Sequence, residues 1–504
     1  MALINTVISW LMKKRFHQIE LFMKYPHEVQ QEVFQRLIRH GRNTEWGRKW
    51  DYDTIETPEQ FRSRIPVSRY DDLKPWIDRL RKGEQNLLWD SEIRFFAKSS
   101  GTTADRSKYI PVSQEALEEC HFKGGKDMLS IYCNNYPDTL IFDGRGLAMG
   151  GSTRITEIDN KSYYDGDLSA VIVQNLPYWA EIIRVPKRSV ALNPEWESKI
   201  EEMAQTTVQH NVTNILGVPS WTLLLLRRIL EISGKKDIRE VWPNLEVFFH
   251  GGVSFLPYRE QFREIIPHDD MHYMETYNAS EGFFGLQDRS DSDELLLMLD
   301  YGIFYEFIPI EEVERDNPKT LFLHEVEKDK VYAMVISTNG GLWRYLIGDT
   351  VRFTSTSPYR IKITGRTRNF INAVGEELVE DNATKALGIA CAKCHAVVAE
   401  FTGAPKYFST DQNAAHEWVV EFAQPPENID FFAETFDNAL KSLNTDYEAK
   451  RYHNMVLQPP VIHVAPPGTF YHWMKQKNKL GGQNKVPRLA NHRKHLEELL
   501  QLLK

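Results

Sequence analysis

Ser99-Ser100-Gly101-Thr102-Thr103-Ala104-Asp105-Arg106-Ser107-Lys108 is the stretch on which the reading of this chain turns. Ile93-Arg94-Phe95-Phe96-Ala97 runs into it and Tyr109-Ile110-Pro111-Val112 runs out of it. Both flanks are apolar and predict short strands, so the stretch is a hydroxyl-rich loop between them. Backbone N–H groups, clustered Ser and Thr hydroxyls and a closing lysine suit a polyphosphate, which needs many donors around one anion. It is not a Walker loop, because the second glycine of G-x-x-x-x-G-K-[ST] is missing. An ordinary polar turn has the same composition, so the loop alone leaves both readings open.

The rest of the chain narrows the field. Its 504 residues allow two or more domains. With 26% charged and 42% hydrophobic residues it has the balance of a soluble globular protein. A net charge of −9 without basic stripes interleaved with aromatics argues against a nucleic-acid binder. No apolar run approaches the ~18 residues of a membrane span. Met1 to Trp10 is apolar and Lys13-Lys14-Arg15 follow, the reverse of a secretory leader, which predicts an amphipathic N-terminal helix. Four cysteines fit a reducing compartment, so a cytoplasmic location is expected. Cys391-Ala392-Lys393-Cys394-His395 spells a c-type haem attachment, but nothing directs export, so two partly buried thiols in a helix are expected.

Outward from the loop, Ser113 is a candidate helix cap, with Glu115, Glu118 and Glu119 in the first turns. Leu140-Ile141-Phe142 predicts a strand entering the glycine-rich segment Gly144 to Gly151. Thr213 to Pro219 is a strand and turn, and Trp221 to Leu230 a core helix ending near Gly234. Asn244 to Phe249 is a strand running into His250-Gly251-Gly252, with Pro257 opening the next helix. Strands alternating with helices predict an α/β fold with mostly parallel sheets, whose ligands gather at the carboxyl ends of strands. From residue 294 short strands predict a β-rich subdomain. The expected division is a large N-terminal domain, 1–365, and a smaller mobile α+β domain, 366–504.

Three further stretches carry chemistry. Tyr277-Asn278-Ala279-Ser280-Glu281-Gly282 puts an aromatic, a hydroxyl and a carboxylate within five residues. One carboxylate such as Glu281 can hold Mg²⁺ beside phosphates, because Mg²⁺ keeps most of its waters. A solvated loop acid is the alternative. In Trp343-Arg344-Tyr345-Leu346-Ile347-Gly348-Asp349, the Asp at a strand end can accept two ribose hydroxyls, or simply terminate a turn. Gly365-Arg366-Thr367-Arg368-Asn369-Phe370-Ile371-Asn372-Ala373-Val374-Gly375-Glu376 is a turn-rich connector.

In order and spacing these stretches resemble the adenylate-forming superfamily of acyl-CoA synthetases, peptide-synthetase adenylation domains and luciferase. Ser-Ser-Gly-Thr-Thr, Ala-Ser-Glu and Gly482-Gln483-Asn484-Lys485-Val486-Pro487-Arg488 look most like the auxin-responsive Gretchen Hagen family of acyl-acid amido synthetases. The resemblance covers residues 20 to 500. It implies a ligase that uses ATP and Mg²⁺ to join a small carboxylic acid to an amino acid. It further implies that Ser99, Ser100, Gly101, Thr102, Thr103 and Lys108 contact the phosphates. Gly251 and Gly252 line the adenine side, Tyr277 packs on the adenine, and Ser280 sits near the α-phosphate. Glu281 serves Mg²⁺, Asp349 holds the ribose, and Arg366 reaches ribose or phosphate. Lys485 approaches the carboxylate and α-phosphate during adenylation. Asn369 and Asn372 stand where the wider superfamily has a hinge Asp and Lys.

Rival classes fare less well. No G-x-S-x-G elbow occurs, since Asn278 precedes Ser280. His268 with His272, and His492 with His495, have helical spacing without an H-E-x-x-H signature. A nucleotide-binding protein without ligase activity would need neither Glu281 nor Lys485. An acyl-CoA ligase shares the first step, and these motifs do not separate a thiol acceptor from an amine.

Overall fold

The computed structural model describes residues 15–99, 108–151, 153–158, 161–252, 255, 258–313, 315, 317–367, 370–371, 373, 376, 378–407, 414–451, 457–477, 479–480 and 485–503. The chain forms two compact units. The first comprises Met1–Val253, Ile265–Ile347 and Val351–Lys362, and the second Ser254–Glu264, Gly348–Thr350 and Ile363–Lys504.

A twelve-stranded sheet runs through the first unit. Arg184–Val185, Arg145–Ala148, Val212–Gly217, Val247–Gly251 and His272–Ala279 pair in parallel along one side. Among them Val247–Gly251 is buried along nearly its whole length, as a strand covered on both faces requires. At Ala279 the chain turns back into Gly282–Leu286, and from this hairpin onward the sheet turns antiparallel. Mostly parallel pairing therefore describes five strands, because a tight hairpin cannot join parallel neighbours. The β-rich stretch expected after residue 294 is the antiparallel side of this same sheet, carrying Ile303–Pro309 and Val331–Thr338. Leu140 to Phe142, expected as a strand, contributes a short 3₁₀ turn at Ile141–Asp143; the strand begins at Arg145. Gly234, at φ +67°, closes the apolar helix Pro219–Ser233 in the left-handed conformation that favours glycine.

A four-stranded sheet carries the opening loop. Phe95–Ser99 and Lys108–Val112 pair antiparallel, with Ser99 opposite Lys108. Ser113 Oγ then accepts from the Ala116 N–H at 2.9 Å, capping the expected helix. Its first turns, Ala116–Phe122, are wound as a π-helix, and Lys123–Asn135 continues as α-helix.

The second unit is α+β. Val397–Tyr407 and Ala414–Gln424 pair antiparallel, and Val461–Ala465 adds in parallel. The helices Glu380–Cys394 and Ile429–Leu443 share one apolar core with this sheet, around Phe401, Trp418 and Phe436. Asn428 caps the second helix by accepting from the Asp430 and Phe431 N–H groups. All four cysteines are free thiols, and Cys391 and Cys394 lie in a helix as expected. Among the described residues no helix is long and apolar enough to cross a membrane.

Candidate functional site

In the first unit the candidate residues lie at strand ends. Ser99 is the last residue of its strand; Ser100, Gly101, Thr102 and Thr103 lie outside the described residues. Lys108 Nζ donates to the Tyr345 hydroxyl at 3.4 Å and sits 5.7 Å from the Tyr70 ring centroid. The lysine that follows the loop is thus aligned between two aromatic side chains.

Gly251 ends its parallel strand, and Gly252 follows at φ +81°. A Cβ on Gly251 would come within 2.4 Å of the Thr276 carbonyl oxygen, so only glycine lets the two strands approach there. Tyr277 lies on the neighbouring strand and is buried; its hydroxyl donates to the Met334 sulfur at 3.7 Å, and its ring meets Phe284 edge to face at 4.9 Å. Ser280 and Glu281 form the hairpin turn. Ser280 is 4% exposed, yet its Oγ has no hydrogen-bond partner among the described residues. A buried unpartnered hydroxyl is costly, and a ligand oxygen would satisfy it. Glu281, beside it, is half-buried.

The π-helical turn clamps this hairpin. Cys120 Sγ accepts from the Phe283 N–H at 3.1 Å, and the buried His121 follows it, facing Asn278, the residue opposite Phe283 in the register. Burial pushes the His121 imidazole down to about 4, so it is neutral at ordinary pH. Burial pushes the Cys120 thiol up to about 12, which makes it unreactive.

The second unit gathers a different set. Asp349, 7% exposed, lies beside Arg366, whose Nε is 3.1 Å from Asp349 Oδ1. Gly348, at φ +91°, turns the chain immediately before it, and the Thr367 N–H donates to the Gly348 carbonyl at 2.7 Å. That bond fixes the separation of Asp349 and Arg366 along two neighbouring strands.

Lys485 belongs to the same cluster. Burial, assisted by Arg366 and Arg488, pushes its ammonium down to about 8, while Asp349 and Glu380 pull the other way. Glu380, the first residue of its helix, is itself held above the usual carboxylate range by burial, against the pull of Arg488, Arg366 and Lys485. Such a group of coupled charges with displaced titrations is a physical mark of a functional site. Asp349, Arg366 and Lys485, separated by up to 136 positions in sequence, therefore meet in one cluster. Glu380 and Arg488 are members the sequence reading did not assign. Arg488 stood at the end of the quoted stretch; nothing local marks Glu380. Asn369 and Asn372 lie outside the described residues.

His268 and His272 have other partners, and the rings of His492 and His495 meet each other edge to face at 5.0 Å. His268 Nε2 is 2.5 Å from Asp237, and His272 contacts the Tyr132 hydroxyl at 2.8 Å and stacks on Tyr136. Among the described residues no group of three or more His, Cys, Asp and Glu is arranged to hold a metal.

Comparison with known proteins covers nearly the whole chain. Residues 15–271 match the GH3 family N-terminal domain, 296–366 its central domain and 381–494 its C-terminal domain. The indole-3-acetic acid-amido synthetase GH3.3 of Arabidopsis thaliana is 23% identical, over 92% of this chain and 89% of that protein. The indole-3-acetic acid-amido synthetase GH3.8 of Oryza sativa subsp. indica is 24% identical, over 91% and 87%. Among solved structures, the GH3.15 acyl acid amido synthetase superposes with a TM-score of 0.78 at 18% identity, covering 97% of this chain and 96% of that one. A 2-hydroxyisobutyryl-CoA ligase in the postadenylation state gives 0.59 at 14% identity, covering 94% and 90%. Both share the mixed α/β fold.

Proposed function

The chain belongs to the GH3 family, and from that premise we propose that it is an AMP-forming ligase joining a small carboxylic acid to the amine of an amino acid. A carboxylate is a poor acyl donor because its oxygen leaves badly. Its attack on the α-phosphorus of ATP expels pyrophosphate and gives an acyl-adenylate. The amine then attacks the activated carbonyl, loses a proton and expels AMP, leaving an amide.

The observation that carries this reading is the meeting of Asp349, Arg366 and Lys485 in one charged cluster. A carboxylate for ribose hydroxyls, a guanidinium and a lysine whose ammonium is lowered to about 8 are the groups that an adenylating site requires. Lys485 stabilises charge that builds on the α-phosphate, a contact strongest in the transition state. The buried Ser280 hydroxyl meets a phosphate oxygen, and Glu281 takes Mg²⁺, which neutralises phosphate charge when bound. Tyr277 and the Gly251-Gly252 turn form the adenine side. The loop 99–108 with Lys108 holds the β- and γ-phosphates. The four free thiols suit a cytoplasmic enzyme supplied with ATP and free amino acids.

The functional test is pyrophosphate release over a panel of carboxylic acids, followed by addition of amino acids or CoA. Acid-dependent release, with amide formed on adding an amino acid, is expected. Thioester formation with CoA in place of the amide would assign the acceptor to a thiol. Release with no acid in the panel would overturn the ligase reading.

The domain proposal accompanies it: 1–365 and 366–504 move as separate bodies between adenylation and transfer, excluding water from the adenylate in each. Limited proteolysis is expected to cut first near residues 365–369, at a rate changed by ATP. A cleavage pattern indifferent to ATP would count against it.

A further inference from the structure

Arg488 is a buried cation on the segment that carries Lys485, and it ties that segment to other parts of the second unit. It is 6% exposed, and its Nη1 pairs with the carboxylate of Glu400. Its Nη2 donates to the Tyr258 hydroxyl at 3.0 Å, and its guanidinium lies 4.5 Å from the centroid of the Phe401 ring. Tyr258, at 4% exposure, belongs with Arg488 to the second unit.

Around this anchor the backbone is laid down like an added strand. Thr402 Oγ1 donates to the Pro487 carbonyl at 2.6 Å. The Gly403 N–H donates to the Arg488 carbonyl at 2.9 Å, and the Ala490 N–H returns a bond to Gly403 at 3.0 Å. Gly403 and Leu489 form an isolated parallel bridge. So residues 487–490 are bonded to Val397–Tyr407 by main chain as well as by side chain. Lys485 stands two residues before the first of these bonds.

A lysine near a glycine-rich stretch has no fixed place of its own, and a four-carbon stem adds rotamer freedom. Electrostatic stabilisation works only when the charge is already in position. The guanidinium fork, held by a carboxylate and a phenol on different segments, supplies that position.

We propose that Arg488, clamped between Glu400 and Tyr258, is the positioning residue for Lys485. It fixes the reach of the lysine during adenylation without touching substrate. This inference rests on the role given to Lys485 above. Its second consequence is electrostatic: Arg488 is one of the charges that hold the Lys485 ammonium down, together with Arg366 and against Asp349 and Glu380.

The test is a double-mutant cycle on the full chain with Lys485→Ala and Arg488→Met, read as single-turnover pyrophosphate release from acid and ATP. Arg488→Met alone is expected to lower that rate about tenfold or more, with the ATP KM within about twofold. In the Lys485→Ala background, Arg488→Met is expected to cost almost nothing further, because the residue it positions is gone. The alkaline limb of kcat/KM, which falls as pH rises through about 8, is expected to move upward in Arg488→Met. Tyr258→Phe, which deletes one hydroxyl and keeps the fold, is expected to shift the rate and the limb the same way by a smaller factor. Additive losses in the cycle, or an unmoved limb in both Arg488→Met and Tyr258→Phe, would overturn the positioning role. Normal pyrophosphate release in Lys485→Ala would instead remove the role of Lys485 itself, which separates the two failures.

Discussion

Arg344 and Asp349 are five positions apart in one motif, yet they belong to charged networks of opposite kinds. Arg344 sits at φ +45° and 3% exposure. Its Nε and Nη2 meet both oxygens of Glu306 at 2.9 and 2.8 Å, Nη2 also reaches Thr320 Oγ1 at 2.7 Å, and Nη1 donates to the Arg62 and Ile65 carbonyls. Every charge there is answered within the first unit. Asp349 is answered by Arg366 in a cluster that lowers the Lys485 ammonium to about 8 and holds Glu380 above its ordinary range. A saturated network holds strands together and has no capacity left for a ligand. A cluster whose members depress and raise one another is poised to reorganise when phosphate charge arrives.

Five experiments break or sharpen this contrast. Arg344→Met leaves Glu306 buried without its cation, so the first unit is expected to lose about 3–5 kcal/mol of stability, measured by urea unfolding. A loss under about 1 kcal/mol would show the network to be ornamental to folding. Lys485→Ala is expected to leave stability nearly unchanged while lowering acid-dependent pyrophosphate release by about 10²–10³. It should still convert supplied acyl-adenylate to amide, since AMP is by then the leaving group. In the unaltered protein the Lys485 cation is present below about pH 8 and lost above it. Single-turnover kcat/KM for adenylation is therefore expected to fall roughly tenfold per pH unit beyond that limb, whereas a flat profile to pH 10 would remove the cation from the step.

Thr102→Val with Thr103→Val is expected to weaken ATP binding about tenfold, at the cost of two hydrogen bonds, with folding intact. Calorimetric titration with Mg-ATP checks it. The smallest effect belongs to Tyr277→Phe. Its hydroxyl donates to the weak acceptor sulfur of Met334, while the ring carries the packing. Stability and ATP affinity are both expected to change by less than about 0.5 kcal/mol. A large loss would move Tyr277 from a packing role to a polar one.

Much of this was legible in the chain. The strands leading into Ser99 and Gly251 followed from apolar runs stopping at small residues, and the cap at Ser113 obeys a local rule; the strand ending at Ala279 and the cap at Asn428 were not read. The π-helical winding of Ala116–Phe122 was not legible, because it depends on Cys120 and His121 meeting a hairpin some 160 residues away. Glu380 and Arg488 were missed for a like reason: a helix-opening Glu looks ordinary until the fold brings it to Lys485, and an Arg after Pro until Glu400 and Tyr258 close on it. Arg344 illustrates the converse. It stands in the same motif as Asp349, yet its side-chain bonds to Glu306, Thr320, Arg62 and Ile65 assign it to the scaffold.

The second unit is assembled from three separate lengths of chain, 254–264, 348–350 and 363–504. Recombination between relatives meets that fact directly. A chimera joined at residue 363 would inherit Lys485 and Arg488 from one parent but Tyr258 and Asp349 from the other. Grafts that exchange all three lengths together keep those partners matched, so transplantable activity is expected to follow the discontinuous boundary rather than the single cut.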